Sequence, residues 1–132
     1  MNSDGMPSFD KLRIFPRLGV DLVEIQKAKD FYRAHRDRLK DWLAPEEISY
    51  IRESRKPYES LAVLLAAKEA VFKALSRPWM GPFGFGDIQI VPGKNKVSCR
   101  FRGPFEPFDG KKRFTLSFYK GKRYVVALCA GI

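Results

Sequence analysis

The sequence predicts an α+β domain in which an antiparallel β-sheet packs on one long central helix. Three observations carry that prediction. Leu61–Leu75, reading LAVLLAAKEAVFKAL, is built from strong helix formers and is apolar on nearly every face, as in a helix buried between other elements. Ahead of it, Leu18–Ile25 (LGVDLVEI) is rich in β-formers. Behind it, four short alternating segments are separated by turns containing Gly or Pro, the pattern of antiparallel hairpins. A chain of 132 residues supports one domain. Residues 1–11 read as a flexible polar tail and 12–132 as the folded unit.

In chain order, Leu12–Phe15 is expected as a short edge strand stopped by Pro16. In the next strand Val20, Leu22 and Glu24 share one face, and Asp21, Val23 and Ile25 share the other. Asp21 thus sits among apolar neighbours. It reads either as a turn or N-cap residue or as a ligand held near a strand end. Gln26–Leu43 is helical in character. Ala28, Phe31, Tyr32, His35, Leu39 and Trp42 mark an apolar side, and Lys27, Arg33, Arg36, Arg38 and Lys40 mark a basic one. A solvated face is the plainest reading of the basic side. His35 is the only histidine and has no acidic or nucleophilic companion in sequence, which argues against catalysis.

Pro45 followed by Glu46 and Glu47 opens a short helix running to about Arg55, with acids suited to the helix dipole. Pro57 begins the central helix, which should end near Ser76 because Pro78 follows. The aromatic RPWMGPFGFG stretch reads as a packed surface loop or as a flap over a ligand. Asp87–Val91 and Lys96–Phe101 form a hairpin around Pro92–Asn95. Arg113–Tyr119 and Arg123–Ala130 form a second around Lys120–Lys122.

The central helix carries three charges, Lys68, Glu69 and Lys73. Glu69 and Lys73 are one turn apart, so an i,i+4 ion pair is the plain reading. Lys68 points instead into the Leu61, Leu65, Phe72, Leu75 stripe, where an ammonium must find a partner. The sharper reading is a polar site on one flank of the helix, for a metal or a phosphate.

The net charge of +10 points to an anionic partner, whether nucleic acid, membrane surface, phosphorylated ligand or acidic protein. Cys99 and Cys129 have no metal-like spacing and read as reduced core thiols, which excludes a zinc site and favours a cytoplasmic protein. The N-terminus lacks the pattern of a signal peptide, and no apolar run is long enough to span a membrane.

GVDLVEI at Gly19–Ile25, followed by LAAKEAVFKAL at Leu65–Leu75, resembles the 4'-phosphopantetheinyl transferases, most closely the holo-acyl-carrier-protein synthase type. LAPEEISYI before the second motif, DIQI at Asp87–Ile90 and the closing TLSFYKGKRYVVALCA extend the resemblance over about Leu18 to Ala130. It implies the fold of that family and transfer of the phosphopantetheine arm of coenzyme A to a serine of an acyl carrier protein, with Mg²⁺. Asp21 and Glu69 correspond to the family's metal-binding carboxylates, with Glu69 also catalytic. Lys73 corresponds to its phosphate-contacting, catalytic lysine and Lys68 to the first lysine of its K-E-A-x-x-K motif, and both are implied to bind the cofactor. Ser117 falls in the family's coenzyme A-holding strand, and Arg77 stands where it can replace a lost phosphate contact. Lys27 falls where the family docks the carrier, with Phe31 one turn on. The resemblance also implies a homotrimer with active sites between subunits.

Three positions depart from the family pattern. Phe118 follows Thr115-Leu116-Ser117 where a histidine is usual, and Leu64 replaces an arginine five residues before Glu69. Ser76-Arg77-Pro78-Trp79 replaces a glycine-rich segment. A non-catalytic relative that binds carrier or coenzyme A is therefore the first alternative. A basic nucleic-acid-binding module is the second, although charge is its only support.

Overall fold

The computed structural model describes residues 17–75, 85–92, 97–103 and 114–131. β1 (Arg17–Glu24) leads into α1 (Ile25–His35), a 3-10 segment (Arg36–Asp41), α2 (Pro45–Glu53) and the long α3 (Pro57–Ala74). Four strands follow: β2 (Ile88–Pro92), β3 (Val97–Phe101), β4 (Phe114–Lys120) and β5 (Tyr124–Gly131). The expected tail and the edge strand at Leu12–Phe15 lie outside the described residues. So do Arg77 and most of the aromatic stretch that contains it.

The strands form two antiparallel sheets where one was expected, a three-stranded sheet in the order β1-β5-β4 and a separate β2-β3 hairpin. The hairpin meets the larger sheet through side chains, with the Phe101 and Phe114 rings 5.5 Å apart. The helical run expected over Gln26–Leu43 also breaks early. His35 Nδ1 donates to the Phe31 carbonyl one turn back, holding the imidazole against the last turn of the helix. Beyond it Arg38 leaves helical geometry at φ −133°, and Leu39 and Leu43 turn into the core.

α3 is the hub. Thirteen of its side chains are buried, with Ala62, Ala66, Ala67, Ala70 and Ala74 forming a small-residue surface against the sheet. Gly19 exploits that surface. A Cβ at this position would run into the Ala70 carbonyl oxygen and lie 2.7 Å from the Ala74 nitrogen, so the strand backbone rests directly on the helix backbone. Only glycine permits such an approach. Along β1 the alternation read from the sequence holds, with Asp21 and Val23 on the helix side. The opposite face leaves Leu18, Val20 and Leu22 more than half exposed, beside Leu128 and Tyr119.

Candidate active site

Asp21 lies two residues beyond Gly19 on the same face of β1, while Glu69 and Lys73 directly precede Ala70 and Ala74 on α3. The Gly19 contact therefore sets these three charged groups side by side. Lys73 Nζ donates to Asp21 Oδ1 at 2.9 Å and to the Val20 carbonyl at 3.1 Å. The i,i+4 pair expected between Glu69 and Lys73 is thus replaced by a pair across two elements, in which Lys73 reaches both a carboxylate and a main-chain carbonyl of β1. No hydrogen bond or ion pair engages Glu69 among the described residues. Burial holds its carboxyl above the ordinary range and the Asp21 charge pushes it further, against an opposing pull from Lys73.

Two carboxylates crowded with less than matching positive charge are suited to a hard divalent cation. Among the described residues no cluster of three or more His, Cys, Asp or Glu side chains forms a metal cage. A two-carboxylate set fits Mg²⁺, which keeps waters and takes phosphate oxygens for its remaining positions. The residues present fit that ion, and Asp21 and Glu69 are the pair that would hold it.

Lys68 is a correction. It was expected to contact the cofactor, but its side chain is fully buried, and Nζ donates to Glu47 Oε1 (2.7 Å), the Phe85 carbonyl (2.9 Å) and the Trp42 carbonyl (3.1 Å). A lysine ammonium has three donors, and all three are used. Glu47, also fully buried, accepts in addition from the Ala44 nitrogen through Oε1 and from the Ile90 nitrogen through Oε2. Burial pulls Lys68 below its ordinary pKa and the Glu47 charge opposes it. The pair ties α3, the start of α2 and β2 together. The sequence signal was the buried charge in an apolar stripe; its partner, 21 residues away, carried none.

Ser117 is exposed and registers with Leu128 and Val20, one position out of phase with Phe118, Ala127 and Asp21. It therefore lies on the sheet face opposite to Asp21 within one chain, and the structure does not bring the two together. Phe118, where the family pattern has histidine, is half-buried against the core, and Leu64 is wholly buried in it. Lys27 is exposed on α1. Phe31 is half-buried, with its ring centroid 4.4 Å from His35 and 5.2 Å from Trp42. Near the opposite end of α3, a cavity of about 550 Å³ is lined by Ile25, Lys56, Tyr58, Glu59 and Lys120–Lys122. Its three lysines were missed in the sequence because they come from two distant segments.

Cys99 and Cys129 are free, and burial is the main cause pushing both thiols up to about 12. No helix among the described residues is long and apolar enough to cross a membrane.

A family model described as the 4'-phosphopantetheinyl transferase superfamily, ACPS, matches residues 17–129. A holo-[acyl-carrier-protein] synthase from Chloroherpeton thalassium is 33% identical over 115 residues, covering 85% of this chain and 93% of the relative. The crystal structure of a holo-[acyl-carrier-protein] synthase from Neisseria meningitidis superposes with a TM-score of 0.73 at 26% identity, covering 87% of this chain and 96% of the other. An ACPS–CoA complex from Chronobacterium ammoniagenes superposes with a TM-score of 0.72, also at 26% identity, covering 88% and 96%. The chain belongs to the 4'-phosphopantetheinyl transferase superfamily, among its members of the holo-[acyl-carrier-protein] synthase type.

Proposed function

We propose that this transferase moves the phosphopantetheine arm of coenzyme A onto a serine of an apo acyl carrier protein, in a Mg²⁺-dependent reaction. The observation that carries the reading is the meeting of Asp21, Glu69 and Lys73 across the Gly19 contact. Asp21 and Glu69 hold the metal, which supplies positive charge to the diphosphate when bound. Lys73 offsets charge on the same phosphates. The serine hydroxyl attacks the phosphorus on the pantetheine side, its proton passes to Glu69, and the bond to adenosine 3',5'-bisphosphate breaks.

Other residues supply binding. The lysines around the cavity and the basic side of α1, including Lys27, draw the anionic donor and an acidic carrier toward the site. Phe31 braces α1 from within through His35 and Trp42. Arg77 is retained as a phosphate contact. Ser117, on the far sheet face, serves the active site of a neighbouring copy in a homotrimer, and the exposed Leu18, Val20, Leu22, Leu128 and Tyr119 supply the apolar surface for that assembly. Two unpaired thiols accord with a cytoplasmic place of action.

The test is incubation with apo carrier, coenzyme A and Mg²⁺, followed by mass spectrometry. One added phosphopantetheine per carrier is expected, and none on any acyl or peptidyl carrier beside a working control overturns the reading. Phe118 and Leu64 favour one competing reading, a relative that binds without transfer. That reading predicts coenzyme A binding by calorimetry with no turnover and no dependence on Asp21.

A further inference from the structure

We propose that Lys73 is an internal counter-ion that occupies Asp21 until the donor arrives, so that metal and donor bind cooperatively. The inference rests on the reading of Asp21 and Glu69 as metal ligands. Lys73 Nζ is bound to Asp21 Oδ1 at 2.9 Å, so the carboxylate a cation would need already carries a counter-ion. The lysine side chain is 52% exposed and the Asp21 carboxylate only 17%. The ammonium is therefore the movable partner and the carboxylate the fixed one.

A divalent ion entering alone must displace this ammonium, break its second hydrogen bond to the Val20 carbonyl, and leave a cation without an anion beside another cation. A diphosphate removes that cost. It gives Lys73 a new acceptor while supplying the metal with oxygens of its own. Each ligand then strengthens the other by the same factor, as linkage requires. Glu69, engaged by no hydrogen bond or ion pair among the described residues, is the second carboxylate that gains when the cation enters.

Lys73 thus acts as a gate on free metal as well as a phosphate contact. Losing a positive side chain is expected to tighten metal binding in the absence of donor and to weaken the cooperation with it.

The test is Mn²⁺ binding followed by electron paramagnetic resonance, with and without coenzyme A, on the folded wild-type chain, Lys73→Met and Lys73→Arg. In the wild type, coenzyme A should tighten Mn²⁺ binding by about 100-fold. Lys73→Met should bind Mn²⁺ about tenfold more tightly than wild type without coenzyme A and show about tenfold less enhancement with it. Lys73→Arg, which keeps the charge, should behave as wild type. Arg52→Met, at an exposed arginine on α2 with no part in the site, should leave the donor-free affinity unchanged; an equal gain there would mean a general charge effect and overturn the proposal. Unchanged Mn²⁺ affinity in Lys73→Met without coenzyme A overturns it too, while leaving the metal pair intact. Absence of Mn²⁺ binding by the wild type even with coenzyme A overturns the metal reading itself, and the gate with it.

Discussion

Lys68 Nζ and Glu47 Oε1 stand 2.7 Å apart with both side chains fully excluded from solvent. Removing one member strands the other as a buried charge. Lys68→Met or Glu47→Leu should each cost about 3–5 kcal/mol in urea unfolding. The double variant should cost clearly less than the sum, because no charge is then left alone.

Gly19→Ala introduces a methyl where the Ala70 carbonyl and Ala74 nitrogen already stand. These are helix backbone atoms and cannot rotate aside. A loss of about 3 kcal/mol or more is expected, at the upper end of overpacking effects. Denaturant unfolding measures it, and an unchanged midpoint would contradict the close approach.

Glu69 gives a pH signature. Its folded carboxyl lies above the ordinary value of 4.5, so between the two values the folded state holds more protons than the unfolded one. Its favourable contribution is present in acid and is lost as pH rises through the folded value. In metal-free buffer Glu69→Gln should therefore be the more stable protein at neutral pH. That advantage should disappear below pH 4.5, as thermal melts across the range would show.

Leu22→Arg and Leu128→Glu alter side chains on the exposed sheet face without entering the core. Light scattering should find a trimer in the wild type and monomer in either variant, with circular dichroism unchanged.

Asp21→Asn removes the fixed carboxylate while keeping its shape. Arm transfer should fall by about 100-fold or more with the fold retained, read by mass spectrometry of the carrier.

Much of the architecture was legible because it depends on local signals. The apolar run at Leu61–Leu75 and the alternation around Asp21 gave a buried helix and a one-sided strand, and both are present. Less legible were relations between distant segments. Nothing local pairs Lys68 with Glu47, moves Lys73 from Glu69 to Asp21, or divides the strands into two sheets. Ser117 illustrates the same difficulty, since a single register step decides which face it occupies.

The bare contact at Gly19 has a wider consequence. At Gly19 no side chain stands between β1 and α3 to act as a spacer, so the spacing of the strand from the helix beside Asp21 and Glu69 is set there by two main chains touching. Changes of residue size elsewhere in the interior can accumulate through descent without altering the gap between these two carboxylates.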